Sequence, residues 1–287
     1  MASISGNERP DLRDLLAFYA AAGVDEALAD DPIDRFAESA AARQAAPATR
    51  AAQPDLSRPG VSAGSDRTAA APPPRPVAAA VPDEAQAAAA REAASKAASL
   101  DELRQILESF DGCNLKATAK SMVFADGNPE ADLMLVGEAP GRDEDLEGLP
   151  FVGRSGQLLD RILTAIGLDR KSAYIANVIP WRPPGNRTPT PHETEICRPF
   201  IERQIALANP KVLVSLGGPS AKLLTGSPDG ILRLRGNWKT HKTADGTVIP
   251  VMPTLHPAYL LRNPAHKKLA WRDFLEIKAK LRELGSL

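Results

Sequence analysis

Four side chains have the types and the placement to act on a small planar ligand: Glu138, Phe151, Asn177 and His256. Glu138 follows the apolar run Leu133 to Val136, which breaks off at Gly137 and reads as a buried parallel strand entering a tight loop. Its carboxylate, the only one in the apolar part of that loop, can orient a water or support a developing cation. Gly137, Pro140 and Gly141 let backbone approach a ligand closely, and Phe151 offers a flat face on the turn Pro150-Phe151-Val152-Gly153. Asn177 carries both a donor and an acceptor on one amide, and the His256 imidazole can donate to charge forming on a leaving group. Each residue alone has a plainer reading: a core Phe, an Asn satisfying a turn, a structural His, a Glu paired with an Arg. Their shared position is what sets them apart.

That position comes from the elements that carry them. Four apolar runs, Leu133 to Val136, Ala173 to Val178, Lys211 to Leu216 and Val248 to Thr254, alternate with the helical stretches Gly156 to Ile166, Pro191 to Leu207 and Ser220 to Thr225. This alternation predicts an α/β fold, a three-layer α/β/α arrangement around a central, mainly parallel four-stranded sheet. Glu138, Asn177, Gly217-Gly218 and His256 all follow or end a strand. In an open α/β sheet those ends share one crevice. Gly217-Gly218-Pro219-Ser220 opens a helix, whose free amides suit an anion.

These residues, with the block Arg182-Pro183-Pro184-Gly185-Asn186-Arg187-Thr188-Pro189 and the run His256-Pro257-Ala258-Tyr259-Leu260-Leu261-Arg262, resemble the family 4 uracil-DNA glycosylases. The resemblance runs from about Leu100 to the C-terminus, with several motifs in family order. It implies a monofunctional, uracil-excising hydrolase that initiates base excision repair on uracil-containing DNA. Base release passes through a cationic sugar and expels an anionic base, so the site must hold the base out of the stack, neutralise the leaving group and guide water. Phe151 then stacks on the extruded base, with the backbone of Gly137 and Ala139 beside it. Asn177 reads the O4 and N3-H edge, His256 donates to O2, and Glu138 positions water. Leu260 is expected to be the apolar wedge that fills the vacated stack, while Tyr259 and Leu261 serve equally as loop packing. Ser155, Arg187, Gly218, Ser220 and Arg262 are the phosphate candidates.

The sequence departs from the resemblance in three places. In the better-known glycosylases a water-activating Asp follows the position of Glu138, and here that position holds Ala139. A non-catalytic or covalent uracil-DNA or single-strand binding protein on the same fold is therefore the competing expectation. The covalent relatives carry a nucleophilic His after the Asn strand, which Pro184 to Pro189 lacks, so turnover is favoured. Finally, many family members hold an iron-sulfur cluster on four cysteines. Alignment puts Phe110, Cys113, Trp181 and Cys197 at those positions, and two thiolates do not complete a four-cysteine site. The expectation is no cluster and no metal, with the two aromatic rings filling its volume.

Composition bounds the rest. A formal charge of -1 over 287 residues gives no global sign of a polyanion partner, although Arg and Lys concentrate at Arg182 to Arg187, Arg233 to Lys242 and Arg262 to Arg272. Two distant cysteines exclude a disulfide scaffold, no GxGxxG or Walker pattern is present, and no apolar run is long enough for a membrane span. The expectation is a cytoplasmic monomer. Residues 1–36 read as a short amphipathic helical segment, Asp11 to Ala29, able to dock a protein partner or to fold back on the domain. Residues 37–83 read as an Ala/Pro-rich disordered linker, and residues 84–287 as the glycosylase domain, with its packed core from about residue 100 after the capping box Ser99 to Glu102.

Overall fold

The computed structural model describes residues 83–287. The expected N-terminal segment, residues 1–36, and the linker up to residue 82 lie outside the described residues; Asp83, expected to end the linker, opens a helix. Two helices come first, α1 (Asp83–Ser95) and α2 (Leu100–Ser109). Ser99 caps α2 as its sequence requires: its hydroxyl accepts from the Glu102 amide at 3.1 Å, and the Glu102 carboxylate accepts from the Ala98 amide at 2.7 Å. The packed core starts earlier than expected, because Ala90, Ala94 and Ala97 of the Ala-rich stretch are buried in it. An alanine face has little apolar area per residue, but it lets two helices approach closely.

A six-stranded sheet follows. Its strands are β1 (Ala125–Gly127), β2 (Leu133–Gly137), β3 (Tyr174–Asn177), β4 (Val212–Leu216), β5 (Lys239–Lys242) and β6 (Val248–Thr254), in the order β1-β3-β2-β4-β6-β5. The parallel centre β3-β2-β4-β6 is the expected one. The two additional strands pair antiparallel at the edges. They are short and polar, Ala-Asp-Gly and Lys-Thr-His-Lys, so no apolar run announces them.

Side-chain alternation along β2 sorts the core into two layers. Met134 and Val136 join Ile201, Ile205 and Leu107 on one face, which α2 and α5 (Pro191–Ala208) cover. Leu133 and Leu135 join Leu159, Leu163, Phe274 and Ile277 on the other, covered by α4 (Arg154–Ala165) and α9 (Lys267–Glu283). Three short helices complete the chain: α3 (Arg142–Glu147) after β2, α6 (Gly218–Thr225) after β4, and α8 (Pro257–Arg262) after β6. A one-turn helix, α7 (Ile231–Leu234), precedes β5.

The end of β6 is anchored by a buried ionic cluster. Asp273 on α9 accepts from Arg235 Nε at 3.0 Å and from Thr254 Oγ1 at 2.6 Å, with a second guanidinium nitrogen of Arg235 on its other oxygen. Thr254 lies two residues before His256, so this cluster sets where the strand delivers the imidazole. Arg235→Ala would leave Asp273, 1% exposed, charged and without its cation. The expected loss of stability is about 3–5 kcal/mol in denaturant unfolding, and Arg235→Ala with Asp273→Ala should recover part of it.

Candidate active site

The carboxyl ends of β2, β3, β4 and β6 open into one crevice of about 700 Å³, large enough for a nucleotide. Of the residues expected there, Glu138, Ala139, Phe151, Ser155, Asn177, Arg187, Gly218, His256 and Arg262 line it. Gly137 lies beneath: a Cβ on it would come 2.3 Å from Asn177 Oδ1 and 2.7 Å from the Phe151 ring, so glycine lets these two side chains meet.

Two expectations fail. Leu260 is 1% exposed and packs with Leu255 and Ala270, because α8, capped by His256, turns residue 260 inward. Its neighbour Leu261, 37% exposed, lines the crevice and has the position of a wedge. Ser220 is fully buried and donates from Oγ to the Val136 carbonyl at 2.7 Å, tying α6 to β2 rather than facing the crevice. Arg187 lines the crevice while bound through both terminal nitrogens to Glu193, at 2.8 and 2.6 Å. That pair holds the Glu193 carboxyl down at about 2 and fixes the Pro-rich loop on α5.

The polar groups of the crevice are conspicuous for what they lack. Glu138 has no ion pair or side-chain hydrogen bond among the described residues, which removes the plainer reading of a Glu paired with an Arg. Burial alone raises its pKa above the ordinary 4.5. Asn177 is 5% exposed, and its Oδ1 is one of three buried side-chain polar atoms without a partner among the described residues. Buried acceptors are normally satisfied, and this one is free to accept a hydrogen bond. His256 Nδ1 accepts from the Ala258 amide at 3.1 Å, which places the proton of the neutral ring on Nε2. Burial, with a smaller contribution from the Arg262 charge, lowers its pKa to about 4, so the ring is a neutral donor at physiological pH.

Phe151 is held under strain. Its φ of 55° is unusual for a bulky side chain, and its ring stacks on His256 with centroids 5.5 Å apart. Three residues that the sequence reading passed over hold it. Arg170 donates to the carbonyls of Pro150, at 3.1 Å, and of Phe151. Glu144, 8% exposed, accepts from the amides of Gly141, Val152 and Gly153, each at 3.1 Å. Gly156 gives the Phe151 backbone room. Only the turn-rich composition of the loop signalled such anchoring; a carboxylate three residues into a short acidic helix looks like dipole compensation.

Away from the crevice, Cys113, Trp181 and Cys197 are buried in one apolar cluster with Phe110 packed against it. The Cys197 thiol donates to the Cys113 sulfur at 4.0 Å, and the Phe110 ring meets Phe200 edge-on at 5.0 Å. Among the described residues no group of three or more His, Cys, Asp and Glu could hold a metal. Two thiols and two rings do not fit a group needing four cysteine ligands.

The sequence matches the family model described as "Uracil DNA glycosylase superfamily" over residues 124–275, just over half of the chain. It is 40% identical to a protein named type-4 uracil-DNA glycosylase from Archaeoglobus fulgidus, over 62% of this chain and 92% of that one. Proteins of the same name from Thermotoga maritima and Sulfurisphaera tokodaii are each 38% identical. Those matches cover 60% and 63% of this chain, and 90% and 84% of the relatives.

The anchoring of Phe151 is testable at Gly156. A Cβ there would lie 1.6 Å from the Phe151 carbonyl oxygen and 2.1 Å from its carbon, and backbone cannot yield as a side chain does. Gly156→Ala should lower stability by about 2–3 kcal/mol in chemical unfolding, with new exposure of the Phe151 loop to protease.

Proposed function

Because the chain belongs to the uracil DNA glycosylase superfamily, we propose that it excises uracil from DNA by hydrolysing the N-glycosidic bond, so initiating base excision repair. The observation that carries the reading is the unpartnered Asn177 Oδ1 beside the neutral His256 and the unpaired Glu138 in one crevice. In this reading the uracil is turned out of the helix against Phe151. Asn177 Oδ1 accepts from N3-H and the amide nitrogen donates to O4, an arrangement that cytosine, with its donor and acceptor reversed, mismatches.

As the N1–C1′ bond stretches, negative charge collects on the base and positive charge on the sugar. His256 Nε2-H donates to O2, stabilising the departing anion without a proton having to be lost from an imidazolium. Glu138 faces the sugar, where its carboxylate stabilises the cation and orients the water that adds to C1′. Ala139 adds no second carboxylate, so orientation and charge at Glu138 carry this part of the reaction. Gly218, Ser155, Arg187 and Arg262 contact phosphates, and Leu261 replaces Leu260 as the wedge.

The reading assigns no iron-sulfur cluster to this chain: Phe110 and Trp181 occupy two of its four ligand positions, and aromatic carbon fills the volume. It further takes the protein as a monomer that offers its N-terminal segment, residues 1–36, to a protein partner. Among the described residues no helix is long and apolar enough to cross a membrane.

The decisive experiment is excision from uracil-containing oligonucleotides in the presence of chelator. Wild type should turn over repeatedly, and Asn177→Ala and His256→Ala should each fall about 10²–10³-fold. Binding without release of the base would refute the enzyme, and stoichiometric iron with visible absorption would refute the cluster-free centre.

The pH profile tests Glu138 separately. Its ionised form is the active one and its pKa is raised, so excision should climb with pH along an acid limb centred above pH 4.5. His256, at about 4, loses its proton earlier on the pH scale, so it is the neutral donor through the upper part of that limb. Glu138→Gln should abolish the limb and leave a low, flat rate.

A further inference from the structure

A second surface lies immediately beyond the crevice. Residues 246–272 contain no Asp or Glu, yet include Arg262, Lys267, Lys268 and Arg272. Of the carboxylates on α9, Asp273 is engaged with Arg235 and Glu283 with Lys280, while Glu276 is exposed at the margin of this face, one turn beyond Arg272. Among the described residues none of these four cations has an ion-pair partner. Lys267, Lys268 and Arg272 are exposed on the first turns of α9, a helix end that already favours anions.

The same face holds two apolar side chains that a folded protein usually hides. Trp271 is 40% exposed and Leu275 is 43% exposed. At about 100° per residue, Lys267, Trp271, Leu275, Lys268 and Arg272 share an arc of about 140°, opposite the buried Ala270, Phe274 and Ile277. An aromatic ring flanked by unpaired cations is the arrangement that binds single-stranded nucleic acid, with the ring stacking a base and the cations following the backbone. Five residues of chain from Arg262, at the crevice, to Lys267 span at most about 17 Å, or roughly five nucleotides along one strand. Tyr259 and His266 hold that connection by a 2.8 Å hydrogen bond and a ring stack.

We propose that Lys267, Lys268, Trp271 and Arg272 form an extended binding site for the single strand that flanks the flipped nucleotide, with Trp271 stacking an unpaired base. The site rests on the glycosylase reading for its substrate. It sets strand preference and processivity rather than the chemical step, because none of its residues reaches the crevice.

Fluorescence anisotropy with a uracil-free single-stranded oligonucleotide tests the surface without any need for excision. Lys267→Gln/Lys268→Gln/Arg272→Gln should reduce the slope of log affinity against log salt by about 2, and Trp271→Ala should weaken binding about tenfold with little change in slope. On a uracil-containing strand the same variants should raise KM while the rate at saturation changes less than about twofold. Unchanged affinity and salt slope in the triple variant would overturn the site, and unchanged affinity in Trp271→Ala would remove the stacking role. Wild type that binds as expected and releases no uracil would refute the glycosylase reading while the surface stood. If the triple variant unfolds, the single Trp271→Ala and Lys268→Gln changes read the same two quantities.

Discussion

Both oxygens of Glu144 are taken by backbone amides, and this constraint gives the crevice its shape. The loop from Gly137 to Gly153 leaves the sheet, turns through a short helix and returns beside its own start. Its two arms do not pair as strands, so their amides need other acceptors, and one buried carboxylate serves Gly141 on one arm and Val152 and Gly153 on the other. Phe151 sits next to the second arm in a conformation its own backbone disfavours. The carboxylate, the Arg170 guanidinium and the missing side chain of Gly156 together hold it there, which is how a strained residue persists in a stable protein.

The electrostatics of the crevice follow from partial burial. Removing water from around Glu138 and His256 shifts both toward their neutral forms, but with opposite consequences. For the imidazole neutrality comes early on the pH scale and yields a donor that keeps its proton. For the carboxylate it delays ionisation, leaving a charge that is poorly solvated and correspondingly strong in its effect on a cation close by. In the proposed reading the open, buried acceptor of Asn177 is what selects the ligand, since one that fails to donate leaves it unsatisfied.

The parallel centre of the sheet was readable because its strands are apolar on both faces and its side chains must alternate between two helical layers. The edge strands β1 and β5 were not, because their register comes from neighbours and their composition is that of a loop. Within the crevice, Asn177 and His256 were legible from their place at strand ends. Leu260 and Leu261 show where such reading stops: both are leucines in one motif, and only the phase of α8, set by its cap, decides which is buried. Glu144 and Arg170 act on backbone atoms through tertiary approach, and a linear pattern records no trace of that.

His256 is at once the cap of α8 and a wall of the crevice, and the two roles cannot be separated mechanically. The helix that carries Leu261 and Arg262 outward begins on the imidazole nitrogen that the Ala258 amide occupies. A displacement of that helix therefore reaches the ring, and a tilt of the ring takes away one amide bond of a first turn that the His256 carbonyl also holds through Tyr259 and Leu260. The imidazole and the residues that follow it on α8 therefore move together, with Asp273 and Thr254 as their anchor.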